Sequence, residues 1–149
     1  MIKDIMSKNI IFGDEKSSIK EISKLMKMHN IGFIPIKDNK GIAGVITDRD
    51  ICLACENINT TESPALDFAS KKIICIDISE SISSALKLMS KYKIKRLLVK
   101  NKDNIVGILS LSDILNYNIN RELIETYRTI FYIHNNEKAD NVEIDSFYL

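Results

Sequence analysis

An internal repeat constrains this chain of 149 residues more than any other feature. Shifting the sequence by 63 positions aligns residues 1–51 with residues 64–114 without a gap. Identical residues run through the whole alignment, and they include Asp4 and Asp67, Ser7 and Ser70, Gly44 and Gly107, and Asp50 and Asp113. Two similar units therefore make up most of the fold.

Composition and charge exclude several classes of protein. The chain is 45% hydrophobic and 28% charged, which suffices for a packed core. Its 21 Lys and Arg against 20 Asp and Glu give a net charge of +1, so nothing indicates a nucleic-acid or membrane partner. Apolar runs stay below the roughly 18 residues of a membrane span, and the N-terminus lacks a signal-peptide pattern. With an odd number of cysteines, 3, we expect a reduced, cytoplasmic protein.

Hydrophobic spacing predicts an early helix in each repeat. Ser18 and Glu21 have the spacing of a capping box, so the first helix is expected to begin at Ser18. Apolar residues then recur at helical intervals, at Ile19, Ile22, Leu25 and Met26, and again at Ile82, Ala85, Leu88, Met89 and Tyr92. A short strand is expected before each helix, over Ile10–Phe12 and Ile73–Ile76.

A hairpin is predicted after each of these helices. In the first repeat, the apolar runs Phe33–Ile36 and Ile42–Ile46 flank a turn-like segment. The second repeat has the same pattern at Leu97–Val99 and Ile105–Leu109. With a closing helix after each hairpin, every repeat has the order β-α-β-β-α.

Each hairpin ends in a motif, here called the closing motif, that places Gly, a hydroxyl and Asp at positions 0, +3 and +6. It spans Gly44–Asp50 and Gly107–Asp113, and a helix is expected just after Thr47 or Ser110. A hydroxyl and backbone N–H groups at a helix start can bind phosphate, and the Asp can accept ribose hydroxyls. The alternative is that both Asp residues only stabilise their helices. The glycines fit a close approach of strands better than ligand contact.

Residues 1–116 resemble a tandem pair of CBS domains, the cystathionine-β-synthase-type repeats that form a Bateman module. Besides the two closing motifs, the resemblance includes Asp4–Ser7 and Ile31–Ile36. It implies an α+β fold with two repeats, at 1–58 and 59–116, packed pseudo-symmetrically sheet to sheet. Residues 117–149 would form a C-terminal helix and tail.

The resemblance also implies that an adenosyl ligand, such as AMP, ATP or S-adenosylmethionine, binds in two clefts. Each cleft would combine the closing motif of one repeat with the opening segment and middle strand of the other. One cleft would place Ser110, Ser112 and Asp113 opposite Met6, Ile11, Ile31, Gly32 and Phe33. The other would place Thr47, Arg49 and Asp50 opposite Ala69, Ile74, Ile94, Lys95 and Arg96.

The two clefts are not equivalent in charge. Lys95 and Arg96 stand where family members usually carry small or apolar residues. They would narrow the base pocket, contact phosphate, or simply lie at an exposed strand end. Because Arg49 also suits a phosphate, we expect Thr47, Arg49 and Asp50 to form the more phosphate-seeking site.

Other reactive residues give weak signals. Cys52 and Cys55 have CxxC spacing, but a structural zinc needs four ligands, so small buried thiols are the expectation for Cys52, Cys55 and Cys75. His29 is expected at a helix end. Since no catalytic triad, zinc-protease or P-loop motif occurs, we expect no enzyme, no metal and no catalytic cofactor.

The last residues extend beyond the repeat. A stripe at helical spacing predicts that the final helix continues from Asn116 to about Tyr132, and it comprises Ile119, Leu123, Ile124, Tyr127, Ile130 and Phe131. It would fold back or form a homodimer. Residues Val142, Ile144 and Phe147 would add a strand or fray.

The sequence thus predicts a regulatory module that senses an adenosyl ligand and acts on a protein partner in trans. The alternative is an interaction or dimerisation module with vestigial clefts.

Overall fold

The computed structural model describes residues 1–56, 60–117, 125–127 and 129–130. The chain divides into two compact units. The first-repeat unit consists of Asn9–Ile74, and the second-repeat unit consists of Met1–Lys8 together with the chain from Cys75 onward. The units therefore have different boundaries from the sequence repeats. Residues 1–8 belong with the second repeat, and the segment that leads into the second repeat belongs with the first.

Each unit contains a three-stranded sheet and flanking helices. In chain order the helices and strands are α1 (Ile2–Ile5), β1 (Gly13–Asp14), α2 (Ile19–His29), β2 (Phe33–Asp38), β3 (Gly41–Thr47), α3 (Asp48–Ala54), β4 (Cys75–Asp77), α4 (Ile82–Tyr92), β5 (Arg96–Asn101), β6 (Asn104–Ser110) and α5 (Leu111–Tyr117). Two short 3-10 helices, Thr60–Glu62 and Ala65–Asp67, lie between α3 and β4. The α+β class and the order β-α-β-β-α are confirmed.

The two sheets have the same topology. Their strand orders are β1-β2-β3 and β4-β5-β6, with a parallel first pair and an antiparallel hairpin as the second pair. Phe33–Ile36 of the central strand β2 are all buried, as are Leu97–Val99 of β5. The apolar runs that predicted the hairpins therefore form the centre of each sheet.

The first strand of each sheet begins later than expected. The run Ile10–Phe12 precedes β1, which starts at Gly13, and the prediction for Ile73–Ile76 starts two residues too early. A Cβ at Gly13 would lie 2.5 Å from the Cδ1 atom of Ile22, so the strand passes close to α2 at this point. The sequence pattern detected the apolar run but not this close approach.

Capping residues define the ends of α2 as expected. Ser18 Oγ accepts a hydrogen bond from the backbone N–H of Glu21 at 3.2 Å, and Glu21 Oε2 accepts one from the N–H of Ser18 at 2.8 Å. The helix ends at His29, as predicted, and Asn30 follows in the left-handed conformation with φ 51°. Lys93 ends α4 in the same way with φ 53°. The two repeats therefore end their equivalent helices, α2 and α4, in the same backbone conformation.

The C-terminal predictions are described only in part. The helix α5 ends at Tyr117, and the expected strand at Val142, Ile144 and Phe147 lies outside the described residues. Two members of the predicted apolar stripe are described: Ile130 is 1% exposed and Tyr127 is 44% exposed. The other members lie outside the described residues. Within the part of the chain that the structure describes, no helix has the length and apolarity needed to cross a membrane.

Candidate functional site

Each closing motif forms a ring of hydrogen bonds at the start of a helix. Thr47 donates to Asp50 Oδ2 from its backbone N–H at 2.8 Å and from its hydroxyl at 2.7 Å. Ser110 donates to Asp113 Oδ2 in the same way, at 2.7 and 2.6 Å. In return each hydroxyl accepts the N–H of its Asp, and Ser112 Oγ lies 2.9 Å from Ser110 Oγ. Both aspartates therefore help to cap their helices, and a binding role for them stays a prediction.

In the second-repeat unit, the start of the middle strand lies beside the closing motif of the same repeat. Arg96 is the register partner of Ser110 across β5 and β6. The carbonyl of Lys95 accepts a hydrogen bond from the N–H of Leu111 at 2.8 Å. Lys95 is exposed and Arg96 is half-buried. Both cationic residues therefore flank the Ser110 ring.

The first-repeat unit repeats this arrangement with different side chains. Phe33 is the register partner of Thr47, and the carbonyl of Gly32 accepts from the N–H of Asp48 at 3.3 Å. A Cβ at Gly32 would lie 2.6 Å from Asp48 Oδ2. Asp48 was not among the predicted site residues, although a glycine before a buried strand is a signal of such close packing.

The opening segment of the chain packs against the second closing motif. Ser7 and Ile108 exchange two backbone hydrogen bonds of 2.9 Å. A Cβ at Gly107 would meet Met6 Sδ at 2.5 Å and the carbonyl oxygen of Ser7 at 3.0 Å. Gly107 therefore permits the close approach expected of it, and Met6 lies in the same unit as Ser110.

The segment before β4 has the equivalent position in the first-repeat unit. Ser70 and Val45 exchange backbone hydrogen bonds of 2.9 and 3.0 Å. A Cβ at Gly44 would lie 3.1 Å from the Cβ of Ala69 and 3.2 Å from the carbonyl oxygen of Ser70. Each closing motif is therefore joined by the opening segment of the other repeat, as the resemblance implied.

The hairpins place the middle strands within each unit. The expected clefts combine residues of both units, so the pairing of each middle strand with the other closing motif stays a prediction. Each middle strand begins beside the closing motif of its own repeat, because the hairpin register pairs the first residue of one strand with the last residue of the next. The second-repeat unit thus brings together Met6, Ile94, Lys95, Arg96, Ser110, Ser112 and Asp113. The first-repeat unit brings together Ile31, Gly32, Phe33, Thr47, Arg49, Asp50 and Ala69. We call these sets the second and first half-sites.

Two further predicted residues lie outside these sets. Ile11 and Ile74 are both half-buried members of the first-repeat unit. Ile11 precedes β1, and Ile74 directly precedes β4. Both therefore lie near the sequence boundaries of the first-repeat unit.

The half-sites differ in charge. The second half-site carries the cations Lys95 and Arg96 with one carboxylate, Asp113. The first half-site carries one cation, Arg49, and the carboxylate of Asp50, with Asp48 as a second carboxylate beside Gly32. Within the units, the extra positive charge therefore lies with the Ser110 ring. The expected phosphate preference of Thr47, Arg49 and Asp50 stays a prediction.

The cysteines also differ from expectation. Cys52 and Cys55 are exposed, so the prediction of buried thiols is wrong for both. Cys52 lies on the exposed side of the short helix α3 and Cys55 directly follows the helix, whereas Ala54 is buried. Cys75 is half-buried, and burial raises the pKa of its thiol. Among the residues that the structure describes, no three His, Cys, Asp or Glu side chains are grouped so that they could hold a metal.

Comparison with known proteins gives a consistent result. The CBS domain family model matches residues 2–57 and 65–120. The CBS domain-containing protein YhcV of Bacillus subtilis is 31% identical over 114 residues, which cover 76% of this chain and 81% of that protein. Hypoxic response protein 1 of Mycobacterium tuberculosis is 25% identical over 131 residues, covering 86% of this chain and 92% of that protein.

A solved structure agrees in fold. The CBS domain pair of protein MJ0100, in complex with 5'-methylthioadenosine and S-adenosyl-L-methionine, is 31% identical with a TM-score of 0.69. The match covers 78% of this chain and 98% of that chain. Since the family model matches both repeats, the chain belongs to the CBS domain family and contains two such domains in tandem.

Proposed function

We propose that the chain is a regulatory module that binds an adenosyl ligand at its half-sites and acts on a protein partner in trans. One observation carries the proposal: each compact unit gathers a hydroxyl–Asp ring, the start of a middle strand and the opening segment of the other repeat. The 31% identical pair of MJ0100, which is in complex with two adenosyl compounds, supports this ligand class.

The ring prepares its carboxylate for a ribose. Both hydrogen bonds from Ser110 reach Oδ2 of Asp113, which holds the carboxylate in one orientation. We expect Oδ1 of the same carboxylate to accept a hydrogen bond from a hydroxyl of the ligand. Because the side chain is already ordered, binding costs little additional conformational entropy. The same reasoning applies to Thr47 and Asp50.

We assign phosphate preference to the second half-site. Lys95 and Arg96 adjoin the Ser110 ring, and a guanidinium can bind two phosphate oxygens at once. In the first half-site Asp48 and Asp50 oppose the single cation Arg49. This half-site therefore suits a ligand of low negative charge, such as a thioether or sulfonium nucleoside.

A charge substitution separates these preferences. In Lys95→Gln we expect the affinity for ATP to fall about twofold to fivefold, the range for an exposed ion pair. The affinity for 5'-methylthioadenosine, which has no phosphate, should not change. Lys91→Gln is the matched control, because it removes an exposed lysine of α4 outside the half-site. Calorimetric titration measures both affinities, and equal losses for both ligands would contradict the assignment.

A thermal-shift screen of the full chain tests the ligand class. A ligand at 100 times its Kd stabilises the folded protein by about 2.7 kcal/mol, so the melting temperature should rise with at least one adenosyl compound. Cytidine and uridine compounds of equal charge serve as controls. If no adenosyl compound shifts a folded protein, the alternative of an interaction or dimerisation module with vestigial clefts becomes the better explanation.

The proposal includes expectations about assembly and location. A sensor requires only that the ligand bind one arrangement of the protein more tightly than another, by a free energy of about 1–3 kcal/mol. We infer a non-catalytic role, a homodimer and a cytoplasmic location, and the partner in trans would respond to the ligand-preferred arrangement. Light scattering with and without ligand measures the oligomeric state.

A further inference from the structure

The exposed cysteine pair of α3 has no role in the proposed function. Cys52 lies within α3 and Cys55 follows its last residue, and both are exposed. The second repeat has Leu115 and Asn118 at the equivalent positions, so the pair is specific to the first repeat. A feature that one repeat has and the other lacks is not required by the shared fold.

Cys55 lies in a groove rich in lysine within the first-repeat unit. The groove has a volume of about 410 Å³, and we call it the lysine groove; its lining comprises Ile19, Lys20, Ser23, Lys24, Lys27, Cys55 and Thr61. That volume falls in the range of small-molecule sites. Cys52 does not line it. The groove therefore distinguishes two exposed thiols that are three residues apart.

The three lysines form one positive stripe along α2. Lys20, Lys24 and Lys27 have the spacing i, i+4 and i+7, which places them on the same helix face. Lys20 is paired with Glu62 at 2.8 Å. Among the described residues, neither Lys24 nor Lys27 has an ion pair within 4.0 Å. The second repeat keeps only Lys87, with Ser83 and Ser90 at the other two positions.

We propose that Cys55 is a covalent modification site for an anionic low-molecular-weight disulfide, such as oxidised glutathione, whose carboxylates bind Lys24 and Lys27. The Cys55 thiol loses its proton to solvent, and the resulting thiolate attacks one sulfur of the disulfide. The S–S bond of the reagent breaks, a new S–S bond forms to Cys55, and the second half leaves as a thiolate with the electron pair. Cys55 is oxidised and the departing sulfur is reduced.

The charge of the incoming disulfide accounts for the selectivity. A cleft lined by charges of one sign raises the local concentration of opposite charges and the association rate. Cys52 is exposed to the same solvent without the three lysines, so it reports the rate of an unassisted thiol. Cys75 should react slowly with any disulfide, because burial raises its pKa and lowers the thiolate fraction.

Two disulfide reagents of different charge test the proposal on the full chain. One variant keeps only Cys55 (Cys52→Ser with Cys75→Ser) and the other keeps only Cys52 (Cys55→Ser with Cys75→Ser). The rate with the dianionic reagent 5,5'-dithiobis(2-nitrobenzoate) is divided by the rate with the neutral 2,2'-dithiodipyridine. We expect this ratio to be about tenfold higher for Cys55 than for Cys52 at low salt.

The same ratio shows where the selectivity comes from. It should fall toward the Cys52 value in 0.5 M salt, a concentration that we choose because it shortens the screening length to about 4 Å. Adding Lys24→Gln and Lys27→Gln to the variant that keeps only Cys55 should lower the rate ratio by the same amount. In the wild-type chain, oxidised glutathione should label Cys55, which mass spectrometry detects. Equal ratios for both thiols, or a high Cys55 ratio that survives the lysine substitutions, would overturn the proposal. The neutral reagent corrects for thiol accessibility in every variant, and circular dichroism identifies a misfolded variant.

Discussion

Replacing Ile2 with alanine is expected to lower the free energy of unfolding by about 2–5 kcal/mol, the cost of a large truncation in a core. Substitutions this close to a chain end usually cost little, because terminal residues are seldom fixed. Ile2, however, is 0% exposed, and it lies on α1 in the second-repeat unit. The opening segment is held there by Ser7, whose N–H and carbonyl both pair with Ile108.

Ile5→Ala is the matched control, since Ile5 lies on the same helix but is only half-buried. It should cost less than Ile2→Ala in urea denaturation followed by circular dichroism. Deleting residues 1–8 should also remove hydrogen-exchange protection from the Ile108 amide, which donates to Ser7, and leave the Val45 amide protected, since it donates to Ser70. A negligible cost of Ile2→Ala, or lost protection at Val45 instead, would contradict the exchange of opening segments.

Replacing Asp113 with alanine is expected to remove most of the thermal shift caused by a ligand of the second half-site. Hydrogen bonds to charged groups contribute about 1.5–3 kcal/mol, so the affinity should fall at least about tenfold. The loss has two causes: the ribose hydroxyls lose their acceptor, and Ser110 loses the two bonds that orient it. Calorimetric titration of the variant measures the affinity.

The same substitution also removes a helix cap, so a control for stability is required. Glu21→Ala provides it, because Glu21 has the same position in the capping box of α2 and accepts from Ser18. Both substitutions should cost about 1 kcal/mol of stability. Only Asp113→Ala should lose the ligand response. If Glu21→Ala loses it equally, or Asp113→Ala keeps it, the aspartate acts only as a cap.

Much of the fold could be predicted from local patterns. The capping box at Ser18 and the helix start after Thr47 follow from residues a few positions apart, and the structure has both. The hairpins follow in the same way, because apolar runs such as Phe33–Ile36 indicate a buried strand. These predictions succeed because the interactions that determine them are short in sequence.

The composition of the half-sites could be predicted only in part. No local pattern indicates that Met6 packs on Gly107, because this contact joins residues about a hundred positions apart. The position of Arg96 beside Ser110, in contrast, could be predicted from the sequence. Counting along the predicted hairpin from its turn already pairs these residues, so this neighbourhood follows from the hairpin register. The exposure of Cys52 and Cys55 could not be predicted, since α3 is too short for a reliable apolar face.

The most direct test of adenosyl-ligand binding at the half-sites is an amide chemical-shift titration of the full chain with 5'-methylthioadenosine and with ATP. Binding at the second half-site should perturb three separate segments together: Met6–Ser7, Lys95–Arg96 and Ser110–Asp113. The first half-site should respond at Gly32–Phe33, Thr47–Asp50 and Ala69. The absence of shifts with either ligand, or shifts confined to residues outside both sets, would contradict the proposed function.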